Sequence, residues 1–261
     1  MQPKYCPFQV YCKDKPHKWE YESFLVCCAF FAFQHQFEIY QVAKQWDPFD
    51  WLLENKSGPK VILCNVKYLM DTNTRKRSLR YITIENYYNA VPLFLILLVS
   101  GFYAAGTIIS SRIGFPKALH PSKKTSKTNL PWGSFAYCQW SDVPSLTAYV
   151  CQEVKSLNFL EIGCRTVETT IRQNRNDKDE SYRNQPDTIP IAIEHYQWYM
   201  GGVDYHDQHC LRSCSTQLAI CMNHWWNWLF SLLNMTITNA YILVSMIAAT
   251  SNRALIAKTA K

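Results

Sequence analysis

Glycine is scarce in this chain, at 8 of 261 residues. That argues against collagen-like and glycine-rich repeat architectures, and against a glycine loop cradling a nucleotide phosphate. Charge is thin as well: 18% of residues are charged, with 27 basic against 20 acidic side chains and a net charge of +7. Such a mild basic excess is compatible with a nucleic-acid partner without requiring one. No basic region followed by an apolar core opens the sequence Met1-Gln2-Pro3-Lys4-Tyr5-Cys6-Pro7, so no secretory leader is expected. An even cysteine count is also missing. Eleven cysteines, with Cys27 and Cys28 adjacent in an apolar run, read as thiols of a reducing intracellular compartment rather than as a disulfide framework. What the sequence has in quantity is apolar residues, 48%, and aromatics, 15%. That is enough for a sizeable core and too much for a disordered chain.

Two stretches carry almost no charge. Residues 91–110, VPLFLILLVSGFYAAGTIIS, have none, and residues 225–249 are similar, interrupted by Asn227, Asn234, Thr236, Thr238 and Asn239. Each is long enough to span a bilayer, but length alone does not separate a span from a buried helix. Pro92, Gly101 and Gly106 divide the first into a helix over Leu93 to Val99 and a strand over Tyr103 to Ser110.

Along the chain, residues 1–22 read as an opening loop. Ser23 to Cys28 is a near-continuous apolar run, the pattern of a strand buried on both faces. Gln34 to Tyr40 alternates and reads as a second strand beside it. Ser57-Gly58-Pro59 opens a helix to about Met70, and Leu79 to Ile84 is a third strand with Glu85 at its C-terminal end. Lys117 to Lys127, KALHPSKKTSK, is a basic linker marking a boundary. Leu146 to Gln152, Leu157 to Ile162 and Val167 to Arg172 read as a small antiparallel sheet, and residues 173–187 as a charged, solvated loop. A short helix leads to Met200, and the rest is helical in pattern, with Arg212 the one Lys or Arg between Asp204 and Thr250.

The string Met200-Gly201-Gly202-Val203-Asp204-Tyr205-His206-Asp207-Gln208 resembles the Met-Gly-Gly-Val-Asp-x-x-Asp-Gln signature of piggyBac-type transposases. Further matches follow in order: Lys15-Pro16-His17-Lys18-Trp19, Glu38-Ile39-Tyr40, Tyr87-Tyr88 with Val91-Pro92-Leu93, Gly106-Thr107-Ile108 and Asn239-Ala240-Tyr241. The resemblance implies an α/β fold: an RNase H-like mixed sheet with an inserted small β-rich lobe and a C-terminal helical segment. The domains it implies are an opening segment at 1–22 and the first part of the core at 23–117. An insertion follows at 118–189, the last part of the core at 190–207, and a helical piece of the DNA-binding and dimerisation domain at 208–261. Both apolar stretches then fall on buried, soluble elements, with no membrane and no small-molecule substrate. The reading expects the family's N-terminal region and its zinc-binding tail to be missing.

The resemblance also implies chemistry on DNA ends by three carboxylates and two divalent cations, Mg²⁺ or Mn²⁺. In-line displacement gathers charge on the attacking and leaving oxygens, and two hard cations about 4 Å apart stabilise both. Here the first acid falls at Cys28, give or take a residue, and a thiol is a poor Mg²⁺ ligand. The second is Glu85, one methylene longer than aspartate. The third, Asp204, with its neighbour Asp207, is intact. Glu85 and Asp204 are the expected catalytic acids, and Glu85, Asp204 and Asp207 the expected metal ligands. Trp132 and Cys221-Met222-Asn223-His224 stand where the family is basic, which weakens phosphate contacts. His206, His209, Cys210, Cys214, Cys221 and His224 fit no common zinc spacing. Trp225, Trp226 and Trp228 read as packing residues rather than base-stacking ones.

The reading is thus a transposase-derived domain, nuclear, with DNA as its weakened partner, a possible homodimer, and no transposase activity. The alternatives are a domesticated DNA- or protein-binding module and a residual metal-dependent nuclease.

Overall fold

The structure, a computed structural model, describes residues 9–11, 13, 19–39, 57–71, 80–119, 133–152, 156–163, 169–173, 186–213 and 224–259. It divides into two compact units, Met1–Lys44 with Gly201–Lys261, and Gln45–Met200.

In the first unit the opening segment is not wholly loop: β1 (Gln9–Tyr11) and β2 (Trp19–Tyr21) pair antiparallel. Val10 and Tyr11 in the first and Trp19 and Tyr21 in the second favour a strand even over three positions, a signal that the surrounding Lys and Pro obscured. β3 (Ser23–Cys27) and β4 (Gln34–Ile39) form an antiparallel hairpin, with the register shifting between Val26 and Cys27. The expectation of a strand buried on both faces fails, because only Phe24 is fully buried in β3. Two paired strands cannot cover both faces of either one.

The second unit starts with α1 (Ser57–Asp71), where Pro59 occupies the first turn and supplies a pre-set φ. β5 (Arg80–Ile84), Arg-Tyr-Ile-Thr-Ile, is rich in β-branched residues. α2 (Val91–Val99) and β6 (Phe102–Thr107) together account for the first apolar stretch, divided as the sequence indicated. Gly101 takes φ +82°, a conformation open to glycine at no steric cost, and turns the chain from one element to the other. Leu93, Phe94 and Leu97 are wholly buried, each contributing about 2 kcal/mol of transfer free energy.

Beyond a short 3₁₀ turn at Lys117–Leu119 come β7 (Phe135–Gln139), β8 (Leu146–Gln152) and β9 (Ser156–Ile162). They join β5 and β6 in one five-stranded sheet of order β5-β6-β9-β8-β7, parallel between β5 and β6 and antiparallel elsewhere. This corrects one expectation. Residues 118–189 are not a lobe apart, since β9 pairs with β6 across the boundary; Leu146 to Cys151 and Phe159 to Ile162 are buried, and such strands need cover on both faces. β10 (Thr169–Gln173) pairs with β11 (Pro186–Pro190) rather than with β9, so regular structure begins at Pro186, inside the stretch read as a charged loop. The rest of the charged loop and most of the basic linker lie outside the described residues. α3 (Ile191–Tyr199) then packs Ala192, Ile193 and Tyr196 against Ala105, Tyr149 and Phe159.

α4 (Gly202–Ser213) and α5 (His224–Thr259) complete the first unit. α5 carries the second apolar stretch unbroken, and Leu229–Thr250 is apolar and long enough to cross a membrane by length and composition. The expectation of a buried helix fails here. Asn234, Thr238 and Ile242 face inward, while Leu229, Leu233, Ile237, Val244 and Ile247 are exposed. The inward face is held by polar contacts: the Asn239 amide donates to the Gln34 carbonyl and accepts from the Gln34 N–H, both at 2.9 Å. The side chains of Trp225, Trp226 and Trp228, and Trp132, Cys214 and Cys221 altogether, lie outside the described residues.

Candidate active site

The expected acids divide between the units: Glu85 belongs to the second, Asp204 and Asp207 to the first. Each is built by its own surroundings.

Glu85 follows the last residue of β5 and is exposed. The strand end that carries it is fixed by Asn89, which is wholly buried. Its amide donates to the carbonyls of Ile84 at 3.0 Å and Thr107 at 2.6 Å, tying the ends of β5 and β6 together. Gly106 lies against the Ile84 carbonyl and the Asn89 amide, where no Cβ fits. Arg112 donates to the Tyr87 carbonyl at 2.7 Å, and the Thr83 hydroxyl donates to the Tyr199 carbonyl at 3.2 Å. Glu85, Asn86, Tyr87, Thr107, Ile109, Tyr196 and Met200 line an open cleft of about 490 Å³. At its floor the Tyr196 phenol is pushed above its ordinary pKa, first by burial and further by the Glu85 carboxylate; a hydrogen bond with the Thr107 side chain opposes both.

Asp204 stands in the first turn of α4 and is exposed, where the partial positive charge of a helix N-terminus favours a carboxylate. The glycine before it explains part of the signature. A Cβ on Gly202 would stand 3.1 Å from the Cys28 carbonyl oxygen and 3.2 Å from the Ala29 Cα, so glycine lets α4 press against the turn after β3. One turn on, His206 is wholly buried and its Nδ1 donates to the Ala32 carbonyl at 2.8 Å. Ala32 has φ +57°, a left-handed conformation unusual outside glycine. Cys210, a further turn along, places its Sγ 3.3 Å from the Thr238 hydroxyl on α5.

This packing separates the two adjacent cysteines that the sequence left within one residue of each other. Cys28 follows β3 directly, with its carbonyl against Gly202. It is Cys27, the last residue of the strand, whose thiol lies near Asp207 and Cys210. Burial first, then the charge of Asp207 and of the neighbouring thiols, pushes Cys27 up to about 12. It is therefore a neutral thiol at any physiological pH. Asp207 is pushed above the ordinary carboxylate range by burial and by Asp204, with His206 opposing. A neutral, soft sulfur is a poor partner for Mg²⁺, which takes hard oxygen ligands in near-octahedral array. Among the described residues no group of three or more His, Cys, Asp and Glu side chains could hold a metal ion. The donor set in hand does not fit a pair of hard cations.

A family model described as Transposase IS4 matches residues 2–241. No curated protein matches the chain. Among solved structures, it is similar to a piggyBac transposase in a synaptic complex with hairpin DNA, with a TM-score of 0.70 at 21% identity. That similarity covers 95% of this chain and 45% of the other, so this chain spans less than half of that protein. Transposases of this kind are generally dependent on divalent metals. With a mixed α/β fold matching that structure and the family's pattern running through nearly all its length, the chain belongs to the IS4/piggyBac-type transposase family.

Proposed function

We propose that this chain is a transposase-derived domain that keeps DNA as its partner and has lost the family's strand-cutting chemistry. The observation carrying the proposal is the neutral Cys27 thiol beside Asp207, at the end of the strand where the family resemblance calls for a hard carboxylate. The longer side chain of Glu85 adds to it, since misplacing a reacting group by about 1 Å can lower a rate on the order of a hundredfold. A nuclear location and a homodimeric state go with this reading, as does the absence of a small-molecule substrate. DNA as partner draws support from the structural neighbour, a complex with hairpin DNA.

The test is end cleavage and strand transfer on transposon-end DNA with Mg²⁺ or Mn²⁺, alongside a salt-titrated binding assay. The expected result is binding that weakens with salt, as phosphate contacts do, and no cleavage above an Asp204→Ala control. Cleavage that disappears in Asp204→Ala would favour a residual nuclease using Glu85 and Asp204. Retained folding with no DNA binding would leave a protein-binding module.

A further inference from the structure

We propose that the cleft at the ends of β5 and β6 is a stacking pocket for one unpaired DNA base, with Tyr87 against its face and the Glu85 carboxylate on its amino edge. The inference rests on the reading of this chain as a DNA-contacting domain.

The place comes first. β5 and β6 are the parallel pair of the sheet, and ligands of open α/β sheets bind outside the carboxyl ends of parallel strands. The cleft, about 490 Å³, lies within the usual range for small-ligand pockets and suits one nucleoside.

Its lining decides the chemistry. Glu85 is the one charged residue among the seven that line the cleft, and the nearby Arg112 donates to the Tyr87 backbone carbonyl. Among the lining side chains a phosphate would meet only a like charge, so the cleft suits the DNA backbone poorly. A base suits it. Tyr87 is 51% exposed, Met200 45% and Ile109 41%, so one aromatic and two apolar side chains face solvent around a carboxylate. Extruded bases are held in this way, stacked on aromatic and apolar side chains and read at their edge by hydrogen bonds. A carboxylate only accepts, so it favours adenine, cytosine and guanine, which present amino groups, over thymine, whose one edge donor, N3–H, lies between two carbonyl oxygens that repel it.

The pocket is also pre-formed. Tyr87 is held by the Arg112 hydrogen bond to its carbonyl and by edge-on contact with Tyr88, ring centroids 5.2 Å apart. The Tyr88 N–H donates to the Glu85 carbonyl at 3.1 Å, closing the turn that carries both Glu85 and Tyr87. With Asn89 tying the two strand ends, little ordering is left to be done on binding.

The test uses the full chain and a DNA hairpin carrying 2-aminopurine as its unpaired loop base. The expected result is fluorescence quenching on binding, lost in Tyr87→Ala and kept in Tyr87→Phe. The preference for the looped DNA over fully paired duplex should fall about tenfold in Tyr87→Ala, the scale of one stacked base. Glu85→Gln should reduce discrimination between adenine and thymine at the unpaired position. DNA binding without quenching, or quenching indifferent to Tyr87, overturns the pocket and leaves the DNA reading standing. No DNA binding by well-folded chain overturns both. Tyr87-dependent binding of an arginine-containing peptide in place of DNA assigns the cleft to a protein partner and overturns the proposal.

Discussion

The end of β5 and the end of β3 present opposite surroundings: one carries an exposed carboxylate, the other a half-buried thiol. At β5 the carboxylate survives as Glu85 on a strand end tied by Asn89 and pressed by Gly106. At β3 the packing survives, through Gly202 and His206, but the side chain facing Asp207 is a neutral thiol. The contacts that seat α4 on the hairpin are backbone and imidazole contacts, and none of them needs a carboxylate on β3.

The largest effect that would break this comparison is chemical reactivity. The thiolate is the nucleophile, and raising a thiol from 9.0 to about 12 lowers its thiolate fraction at pH 8 about a thousandfold. Alkylation by iodoacetamide, followed by peptide mass spectrometry, should therefore find Cys27 about a thousandfold slower in native protein than in urea. Equal rates would mean that the β3 end is open and polar like the β5 end, and the contrast would collapse.

A smaller effect concerns the clamp. Asn89→Leu leaves the Ile84 and Thr107 carbonyls without their amide donor in a buried place, which should cost about 3 kcal/mol in urea unfolding. Cys27→Ala should cost about 1 kcal/mol, because the thiol contributes packing alone. A clamp loss no larger than the thiol loss would show that β5 is not held as its contacts imply.

Much of this was legible in the sequence, for local reasons. Gly101 and the change of pattern around it separated α2 from β6, and Pro59 marked the start of α1. The positions of β8 and β9 followed from continuous apolar runs. Partners were not legible, because strand pairing is a long-range choice: the Lys/Ser-rich segment before β7 suggested a lobe apart, yet β9 pairs with β6. The face of a strand was also beyond reach. Side chains alternate across a strand, so an uncertainty of one residue spans both Cys27 and Cys28, and only the structure shows that the Cys27 thiol is the one near Asp207. Asn89 could have been noticed, as a polar residue just before the apolar α2, but only its two carbonyl partners reveal what it does. α5 misled in the other direction. Its aliphatic residues predicted burial, whereas its inward face is the polar one.

Mn²⁺ titration followed by electron paramagnetic resonance measures directly whether a chain with a thiol at the end of β3 binds a divalent cation, since Mn²⁺ accepts the same carboxylate and water ligands as Mg²⁺. The native chain and its Asp204→Ala variant should give the same weak binding. Restoring a hard ligand at the end of β3, by Cys27→Asp or Cys28→Asp, should raise affinity about tenfold, or about 1.4 kcal/mol. Tight Mn²⁺ binding by the native chain that is lost in Asp204→Ala would contradict the account.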